Sequence, residues 1–501
     1  MERANRLSIN WGKGLSVLVL LALLAILAPA VPSFSAPVSI QPILVQMAAE
    51  RPDAMISVIV QKTVKDTSVE ELVANLGGKV TADLSIINAF AADVPASAIQ
   101  ELASANGVRW ISLDAVMNST ACTQCIDTTK LANAYIKAIR ADQIWNNSPY
   151  LQGQGVGVAV VDSGVNSNGD LYTAAGVNRQ VANVRFNSDV NQNTSDGYGH
   201  GTVVSSIVGG DGSDSTGKYI GVAPMVNIIN VKVSNDNGSA ATKDVVSGLQ
   251  WVLNNKARYN IRVVNLSLNS SVAESYNTNP LDAAVEILWF NRIVVVASAG
   301  NQGSGKIYPP ANDPFIITVG ATDDKGTSSL TDDVMASFSA YGTTSDGFAK
   351  PDLVAPGKNI VGRMVNTNMG MAQAHPSNVL SSSYFKMSGT SVAAPIVSGA
   401  VALLLQSNPN LTPDRVKYRL KATANKSWAG YNASKAGAGY LDVYAAVKGT
   451  TTASANTGIA ASHLLWTGKT PLTWGSANWD SANWDSANWD SANWDSDYWG
   501  P

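Results

Sequence analysis

Cysteine, histidine and charged residues are scarce in this chain of 501 residues. Its two cysteines, Cys122 and Cys125, exclude a fold held together by a disulfide framework, so stability must come mainly from packing. Charged residues make up 14% of the chain and the net charge is -3, so the composition shows no basic footprint for nucleic acid. Hydrophobic residues supply 45%, enough for a sizeable core, and the length suggests roughly two to four folded units.

An uncharged apolar run, Leu15 to Leu27, lies close to the N-terminus. The run is short for a membrane span, which needs about 20 residues. Arg3 and Lys13 precede it, and small residues as far as Ala36 follow it. Because this order is typical of a secretory signal peptide, we predict that residues 1–36 are removed and that the protein is secreted. A membrane anchor is the competing interpretation.

Residues 56–114 have the pattern of a small α+β unit. Ile56 to Gln61 is a strand-like run, and a helix is predicted from Ser68 with Glu71 completing a capping box. A weaker strand follows this helix. After it come a further strand, a second helix after Pro95 and a last strand. The order β-α-β-β-α-β predicts a ferredoxin-like unit. Because it contains neither histidine nor cysteine, it shows no compact catalytic cluster.

From about Ile139 onward, short β-branched runs alternate with helical segments. The predicted strands are Val156 to Val161, Ile228 to Val233, Ile261 to Leu268, Ile293 to Ala297 and Phe315 to Val319. The predicted helices are Lys243 to Ala257 and Leu281 to Phe290. Near-continuous apolar strands between helices indicate a mostly parallel sheet buried on both faces, which is a doubly wound α/β fold. In such sheets, sites form at the carboxyl ends of the strands.

Three short segments carry residues suited to chemistry. Asp162 closes an apolar strand, His200 lies between glycines at the start of a helical run, and Ser391 precedes a helix reaching to about Gln406. Taken singly, each has an ordinary structural explanation as a turn residue, a structural histidine or a helix cap. Together they supply an orienting acid, a base and a nucleophile, in the chain order Asp, His, Ser.

These motifs resemble those of the subtilisin-like serine proteases, over roughly Ile139 to Val447. A further segment, Ala297 to Asn301, is similar to the segment of that family that binds the oxyanion. The resemblance implies a serine endopeptidase with Asp162, His200 and Ser391 as its triad, whose chemistry needs no cofactor. Asn301 and the Ser391 backbone N–H would then stabilise the oxyanion.

The resemblance also places the substrate groove, whose partners would be proteins and peptides. Ser267, Leu268, Asn269 and Gly300 are expected to bind substrate, with the edge from Val231 to Gly238 opposite them. Relatives often have glycine where Asn269 stands, which leaves open the shape of the pocket for the residue before the scissile bond. Gln302 is uncharged, so nothing indicates a preference for basic residues there. Residues 364–383 lengthen the chain relative to compact relatives, and we interpret them as a surface insertion, by default a neutral loop.

The domain organisation follows from the same resemblance. We predict a propeptide at 37–120, a catalytic domain at 121–447 and a low-complexity tail at 448–501. The propeptide would assist folding and act as an intramolecular inhibitor until it is cut away between Asp114 and about Ile139. The mature protein is expected to be a monomer.

Two smaller features have ordinary alternatives. Cys122 and Cys125 form a C-x-x-C pair, for which a local disulfide is the default in a secreted chain. Structural calcium is common in relatives, and Asp211 and Asp214 lie in an oxygen-rich turn that suits Ca²⁺. The same turn is also typical of a plain solvated loop.

The tail repeats Ser-Ala-Asn-Trp-Asp from Ser476 to Asp495. It could be a sticky flexible tail, a small β-coil, or a surface that binds a cell-surface or protein partner through exposed tryptophans. We favour an interaction tail by composition. The rival function for the whole chain is a non-catalytic surface-binding protein on a protease scaffold, with these repeats as its binding part.

Overall fold

The computed structural model describes residues 39–115, 125–187 and 193–465. The chain divides into two compact units, Met1–Ala121 and Cys122–Pro501, each with its own hydrophobic core. The predicted signal peptide and the pentapeptide repeats lie outside the described residues.

The first unit contains a four-stranded antiparallel sheet in the order β2-β3-β1-β4. Its strands are β1 (Met55–Lys62), β2 (Lys79–Leu84), β3 (Ala89–Pro95) and β4 (Val108–Leu113). Its helices are Pro42–Glu50, Ser68–Asn75 and Ile99–Ala103. From β1 onward, this is the ferredoxin-like arrangement that the sequence predicts; the helix Pro42–Glu50, which precedes β1, was not predicted. Alternate residues of β1, Ile56, Val58 and Val60, fill the core because successive strand side chains face opposite sides.

The predicted capping box at Ser68 is wrong. Ser68 is the first residue inside the helix Ser68–Asn75, and its backbone N–H and hydroxyl both donate to the Asp66 carboxylate. Thr67 takes the N-cap position, and its hydroxyl donates to the Glu71 carboxylate at 3.1 Å. An acidic residue two positions before the helix therefore takes the place of the predicted reciprocal bonds.

The second unit is built on a mostly parallel sheet in the order β11-β10-β9-β8-β5-β7-β6, with β14 also paired to β10. Its strands are β5 (Gly157–Asp162), β6 (Gln180–Arg185), β7 (Asn227–Lys232), β8 (Ile261–Leu266), β9 (Val294–Ser298), β10 (Ile317–Asp323), β11 (Val334–Met335) and β14 (Leu353–Pro356). Only β11 runs antiparallel to its neighbour. The predicted doubly wound α/β fold is therefore confirmed, and strands β6, β11 and β14, which were not predicted, extend its sheet.

Smaller strands complete the unit. They are β12 (Gly342–Thr343), β13 (Ala349–Lys350), β15 (Ile360–Arg363), β16 (Val379–Ser381) and β17 (Tyr384–Met387). Strands β15, β17 and β16 form a separate three-stranded sheet, with the helix Gly370–Ala374 between β15 and β16. The predicted insertion therefore has secondary structure of its own.

Two helices position the site. The histidine helix, His200–Gly209, and the serine helix, Thr390–Ser407, pack against each other, and the serine helix also lies across β8, β9 and β10. The remaining helices are Ala134–Ala138, Asp142–Trp145, Thr242–Asn255, Pro280–Phe290, Pro413–Thr423, Ala433–Ala436 and Val443–Lys448.

The serine helix is apolar on all sides. Among the described residues it alone has the length and hydropathy of a membrane span, but 83% of it is buried inside the fold. A helix that is hydrophobic all round and enclosed by a sheet and other helices has the character of a core helix.

Ordered packing continues beyond the predicted start of the tail at residue 448. Ala461 and Leu465 are buried in the main core, and the Ser462 N–H donates to the Glu286 carboxylate at 2.8 Å. The Asn456 amide also donates to Asp414 at 2.7 Å. Residues 449–465 therefore pack within the second unit, and of the predicted tail only the part beyond Leu465 lies outside the described residues.

Candidate active site

Asp162 and His200 form a hydrogen-bonded pair at the carboxyl end of β5. The His200 Nδ1 lies 2.7 Å from the Asp162 Oδ1, which also accepts the Ser163 N–H at 2.7 Å. Asp162 is buried and His200 is partly buried. With Nδ1 committed to the carboxylate, Nε2 is the ring nitrogen left to exchange a proton with another group.

Steric constraints favour glycine on both sides of His200. Gly199 has a φ of 106°, a region that side chains rarely adopt. A Cβ on Gly201 would lie 2.1 Å from the Gly164 carbonyl oxygen and 3.1 Å from the Asp162 Cβ. The histidine helix can therefore approach the end of β5 only because residue 201 has no side chain.

The pKa of His200 reflects two opposing effects. Burial favours the neutral imidazole, whereas the Asp162 charge, its hydrogen bond and the more distant Asp196 favour the imidazolium. The carboxylates outweigh burial, so the pKa of His200 is raised above its usual value.

Asp196 is a buried carboxylate that the sequence analysis missed. Its oxygens accept from the Ser163 hydroxyl at 2.9 Å, the Gly199 N–H at 2.6 Å, and the Thr202 N–H and hydroxyl at 2.8 and 2.7 Å. Through these hydrogen bonds, Asp196 connects the start of the histidine helix to Ser163, the residue after Asp162. An aspartate three residues before a Gly-His-Gly segment is the sequence feature that could have pointed to it.

Ser391 lies in the first turn of the serine helix. It lines the same cleft as Asp162 and His200, which has a volume of about 610 Å³. Within the described part of the chain, the Ser391 hydroxyl makes no hydrogen bond, so it is available to a group that enters the cleft. Its carbonyl accepts from the Ser267 hydroxyl at 2.8 Å, which fixes the helix start against the end of β8.

Asn301 also lines this cleft, and Thr390 orients its amide. The Asn301 Oδ1 accepts from the Thr390 N–H at 2.9 Å and from the Thr390 hydroxyl at 3.1 Å. With the oxygen held in this way, the Nδ2 donors remain for another acceptor. Thr390 directly precedes the predicted nucleophile but was not itself predicted to have a role in the site.

The predicted substrate-binding residues divide into two groups. Ser267, Leu268 and Asn269 line the cleft. Gly300 is buried behind the surface and is not among the lining residues, and its N–H donates to the Thr390 hydroxyl at 3.0 Å. Gly300 therefore supports the Asn301 turn instead of facing a ligand with that N–H.

Asn269 spans the gap between two chain segments. Its Nδ2 donates to the Ser298 carbonyl at 2.9 Å, and its Oδ1 accepts from the Ser298 hydroxyl at 3.3 Å. Strands β8 and β9 are parallel neighbours, so the segments that leave their carboxyl ends border one slot. The Asn269 side chain crosses this slot where a glycine would leave it open.

Asp211 and Asp214 do not fit a calcium site. Asp214 pairs with Arg363 at 2.8 Å and accepts the Gly169 N–H, while Asp211 accepts from the backbone and hydroxyl of Ser213. No group of three or more histidine, cysteine, aspartate or glutamate side chains suited to a metal occurs among the described residues.

Cys125 is disulfide-bonded, in line with the expected local bridge; Cys122 lies outside the described residues.

A hydrogen-bonded acid–base pair, a serine at a helix start and an oriented amide donor in one cleft of a parallel α/β sheet define a serine hydrolase site. The chain belongs to the subtilase family, whose model matches residues 153–440, and it is a serine peptidase. The family resemblance read from the sequence is thus confirmed.

Curated relatives support the same conclusion. The chain is 36% identical to the serine protease AprX of Bacillus subtilis (strain 168) over 385 residues, which cover 74% of this chain and 81% of AprX. It is 34% identical to subtilisin Savinase of Lederbergia lenta, over 55% of this chain and 85% of that protein. It is 32% identical to the alkaline elastase YaB of Bacillus sp. (strain YaB), over 59% and 65% of the two chains.

Among solved structures, fervidolysin from Fervidobacterium pennivorans, a keratinolytic enzyme related to subtilisin, has a similar fold. The TM-score is 0.51 at 24% identity, and the match covers 79% of this chain and 61% of that one. This similarity supports the fold alone.

Proposed function

We propose that the protein is a secreted serine endopeptidase in which Asp162, His200 and Ser391 form the catalytic triad. The observation that carries the proposal is the 2.7 Å bond between Asp162 and His200 in the cleft that Ser391 and Asn301 also line. Asp162 holds the imidazole tautomer and stabilises the imidazolium when it forms.

Acylation uses these groups in sequence. The His200 Nε2 takes the Ser391 proton as Oγ attacks the scissile carbonyl carbon, and the carbonyl oxygen becomes an oxyanion. The Asn301 Nδ2 and the Ser391 N–H donate to that oxyanion, at a helix start whose free N–H groups favour negative charge. The C–N bond then breaks, and His200 gives the proton to the leaving amine.

Deacylation repeats these roles with water. His200 removes a proton from a water molecule, the hydroxide adds to the acyl carbon, and Ser391 leaves with the proton returned from His200. No step requires a metal or an organic cofactor.

The substrate would bind as an extended strand. The segment Ser267 to Asn269 and the edge from Val231 to Gly238 are the groups proposed to pair with its backbone. Ser234 and Gly238 of that edge line the cleft together with Ser267 and Asn269, which supports this placement.

The first unit fits an inhibitory propeptide. It has its own sheet and core, and the part that the structure describes contains no histidine or cysteine that could contribute chemistry. We propose that residues 37–120 assist folding, inhibit the enzyme and are then removed. The Trp-rich repeats would serve as an interaction tail for a cell-surface or protein partner of a monomeric enzyme.

Intact mass after secretory expression tests this proposal, with the wild type compared with Ser391→Ala. We expect the wild type to lose the segment up to about residue 120 and Ser391→Ala to retain it. Equal processing of both would mean that another protease performs the maturation, and Ser391 would then be tested on a peptide substrate. If neither the wild type nor Ser391→Ala is cut, the result would contradict self-processing.

A further inference from the structure

The segment 364–383 folds onto the loop that precedes His200 and the histidine helix. The Gly370 N–H donates to the Gly197 carbonyl at 3.0 Å, and the Met371 N–H donates to the Tyr198 carbonyl at 2.9 Å. Both carbonyls belong to residues just before His200. The segment predicted as a neutral loop is therefore fixed beside the catalytic base.

Apolar packing holds it in this place. Met369 and Met371 are buried in the main core of the second unit. A Cβ added at Gly199 would meet the Met369 side chain at 3.2 Å, so Met369 covers the residue that precedes His200. The segment is thus part of the folded core and not an appendage to it.

The same segment lines the catalytic cleft. Met371, His375 and Asn378 face the cleft that contains His200 and Ser391. The helix Gly370–Ala374 ends at His375, and the Asn378 N–H donates to the His375 carbonyl at 3.0 Å across the following turn. This turn brings the side chains of His375 and Asn378 to the same stretch of the rim.

Both side chains have unused hydrogen-bond donors. No group within the described ranges accepts from the His375 ring or the Asn378 Nδ2; the Asn378 Oδ1 accepts weakly from Ser377 at 3.4 Å. His375 is exposed and Asn378 is half-buried, so a ligand in the cleft can reach them. Imidazole N–H and amide N–H₂ groups both donate to carboxylate oxygens.

The charged side chains in and near the cleft do not oppose the binding of an anion. The side chains that line the cleft include no lysine, arginine or glutamate, and its one carboxylate, Asp162, is bonded to His200 and Ser163. Asp236 lies near the segment but pairs with Lys232 at 2.6 Å. An entering carboxylate therefore meets donors and little uncompensated negative charge.

We propose that His375 and Asn378 form a subsite for a carboxylate-bearing substrate side chain, an aspartate or glutamate close to the scissile bond. The inference rests on the proposed peptidase function and adds a substrate preference to it. A carboxylate binds these donors more strongly than a neutral amide does because hydrogen bonds to a charged acceptor are stronger.

Paired peptides test the subsite. Each pair differs only by Glu or Gln at one position, scanned over two residues on each side of the scissile bond, and kcat/KM is measured with the processed enzyme. The wild type is expected to favour Glu by about 5-fold at one position, the gain when a hydrogen bond has a charged instead of a neutral acceptor. His375→Ala combined with Asn378→Ala should bring this ratio to about one.

Two further variants make the test specific. Gln373→Ala, an exposed residue of the same helix that does not line the cleft, should keep the Glu preference. His375→Glu should reverse it, so that Gln is favoured over Glu at the same position, because two carboxylates repel each other. A ratio near one at every position in the wild type, or a ratio that survives the double substitution, would refute the subsite while leaving the peptidase intact. Failure of the wild type to cut any peptide would instead contradict the proposed function itself.

Discussion

At the scale of single residues, the charge around His200 sets the pH range of activity. In the proposed mechanism His200 must be neutral to accept the Ser391 proton, and the neighbouring carboxylates raise its pKa. We expect kcat/KM to rise with pH through a midpoint above about 6.5, the ordinary value for histidine. Asp162→Asn should lower both the midpoint and, by about 10³- to 10⁴-fold, the rate. A pH profile of kcat/KM for both proteins checks this, and an unchanged midpoint in Asp162→Asn would contradict it.

Thr390 is a positioning residue whose hydroxyl holds the Asn301 oxygen. Thr390→Val removes that bond together with the acceptor of the Gly300 N–H, and it leaves the Thr390 backbone donor to Asn301 in place. We expect kcat to fall about 10-fold, equivalent to one hydrogen bond, because the oriented amide acts on the transition state. KM should change little. Thr390→Ser restores the hydroxyl and should recover most of kcat, and a loss confined to KM would argue against the assigned role.

Asn269 should restrict the size of the substrate residue before the scissile bond. Its side chain crosses the slot between the segments that follow β8 and β9 by bonding to Ser298. Asn269→Gly removes this bridge, so we expect kcat/KM for large aromatic residues to increase about 10-fold relative to alanine, within the range that pocket contacts supply. Peptide profiling of both proteins measures this ratio, and an unchanged profile would place the pocket elsewhere.

At the scale of elements, close contact between the histidine helix and the end of β5 builds the acid–base pair. Gly201→Ala would place a Cβ 2.1 Å from the Gly164 carbonyl oxygen. We expect this substitution to lower the free energy of unfolding by about 1–3 kcal/mol and to displace His200. Urea unfolding in an inactive Ser391→Ala background measures the stability, and peptide hydrolysis measures the displacement. If the free energy of unfolding and the rate of peptide hydrolysis both keep their wild-type values, the helix can shift to accept the Cβ.

The sequence predicted elements well where a local pattern decides them. Buried parallel strands such as β5 and β8 are near-continuous apolar runs, and their predicted ends lie within two residues of the observed ones. Strand β6 alternates between buried and exposed residues and includes the polar Gln180 and Asn183, so it lacked this pattern and was missed. The capping box failed because Asp66, outside the predicted motif, competes for the same donors.

The residues of the site likewise divide into those that the sequence could predict and those that it could not. Asp162, His200, Ser391 and Asn301 lie in short motifs that sequence alone can single out. The parts played by Asp196, Thr390 and His375 depend on contacts between segments far apart in the chain. Local patterns do not specify which donor will meet which acceptor across such distances.

At the scale of the whole molecule, buried carboxylates make stability depend on pH. Burial raises the pKa of Asp414 to about 7, against hydrogen bonds from Trp289 and Asn456 that lower it. Burial likewise raises the pKa of Asp313 to about 6. In the unfolded chain such groups titrate near 3.9, so the folded state binds protons more tightly.

The sign of the effect follows from linkage. A raised folded pKa contributes stability that is fully present below about pH 4 and is lost as pH rises to about 7. Asp414 alone adds a slope of about 1.4 kcal/mol per pH unit in that window. Asp414→Asn carries no charge, so its free energy of unfolding should fall less steeply between pH 4 and 7. Urea unfolding in the Ser391→Ala background measures both slopes, and equal slopes would show that Asp414 does not titrate in this range.

The most direct test of the central claim is the site of covalent labelling by a fluorophosphonate, which reacts with activated serines. We predict one adduct per processed molecule, located by peptide mapping on Ser391, and its loss in His200→Ala, where the base is absent. An adduct on another serine, or labelling of Ser391 that does not depend on His200, would contradict the proposed triad.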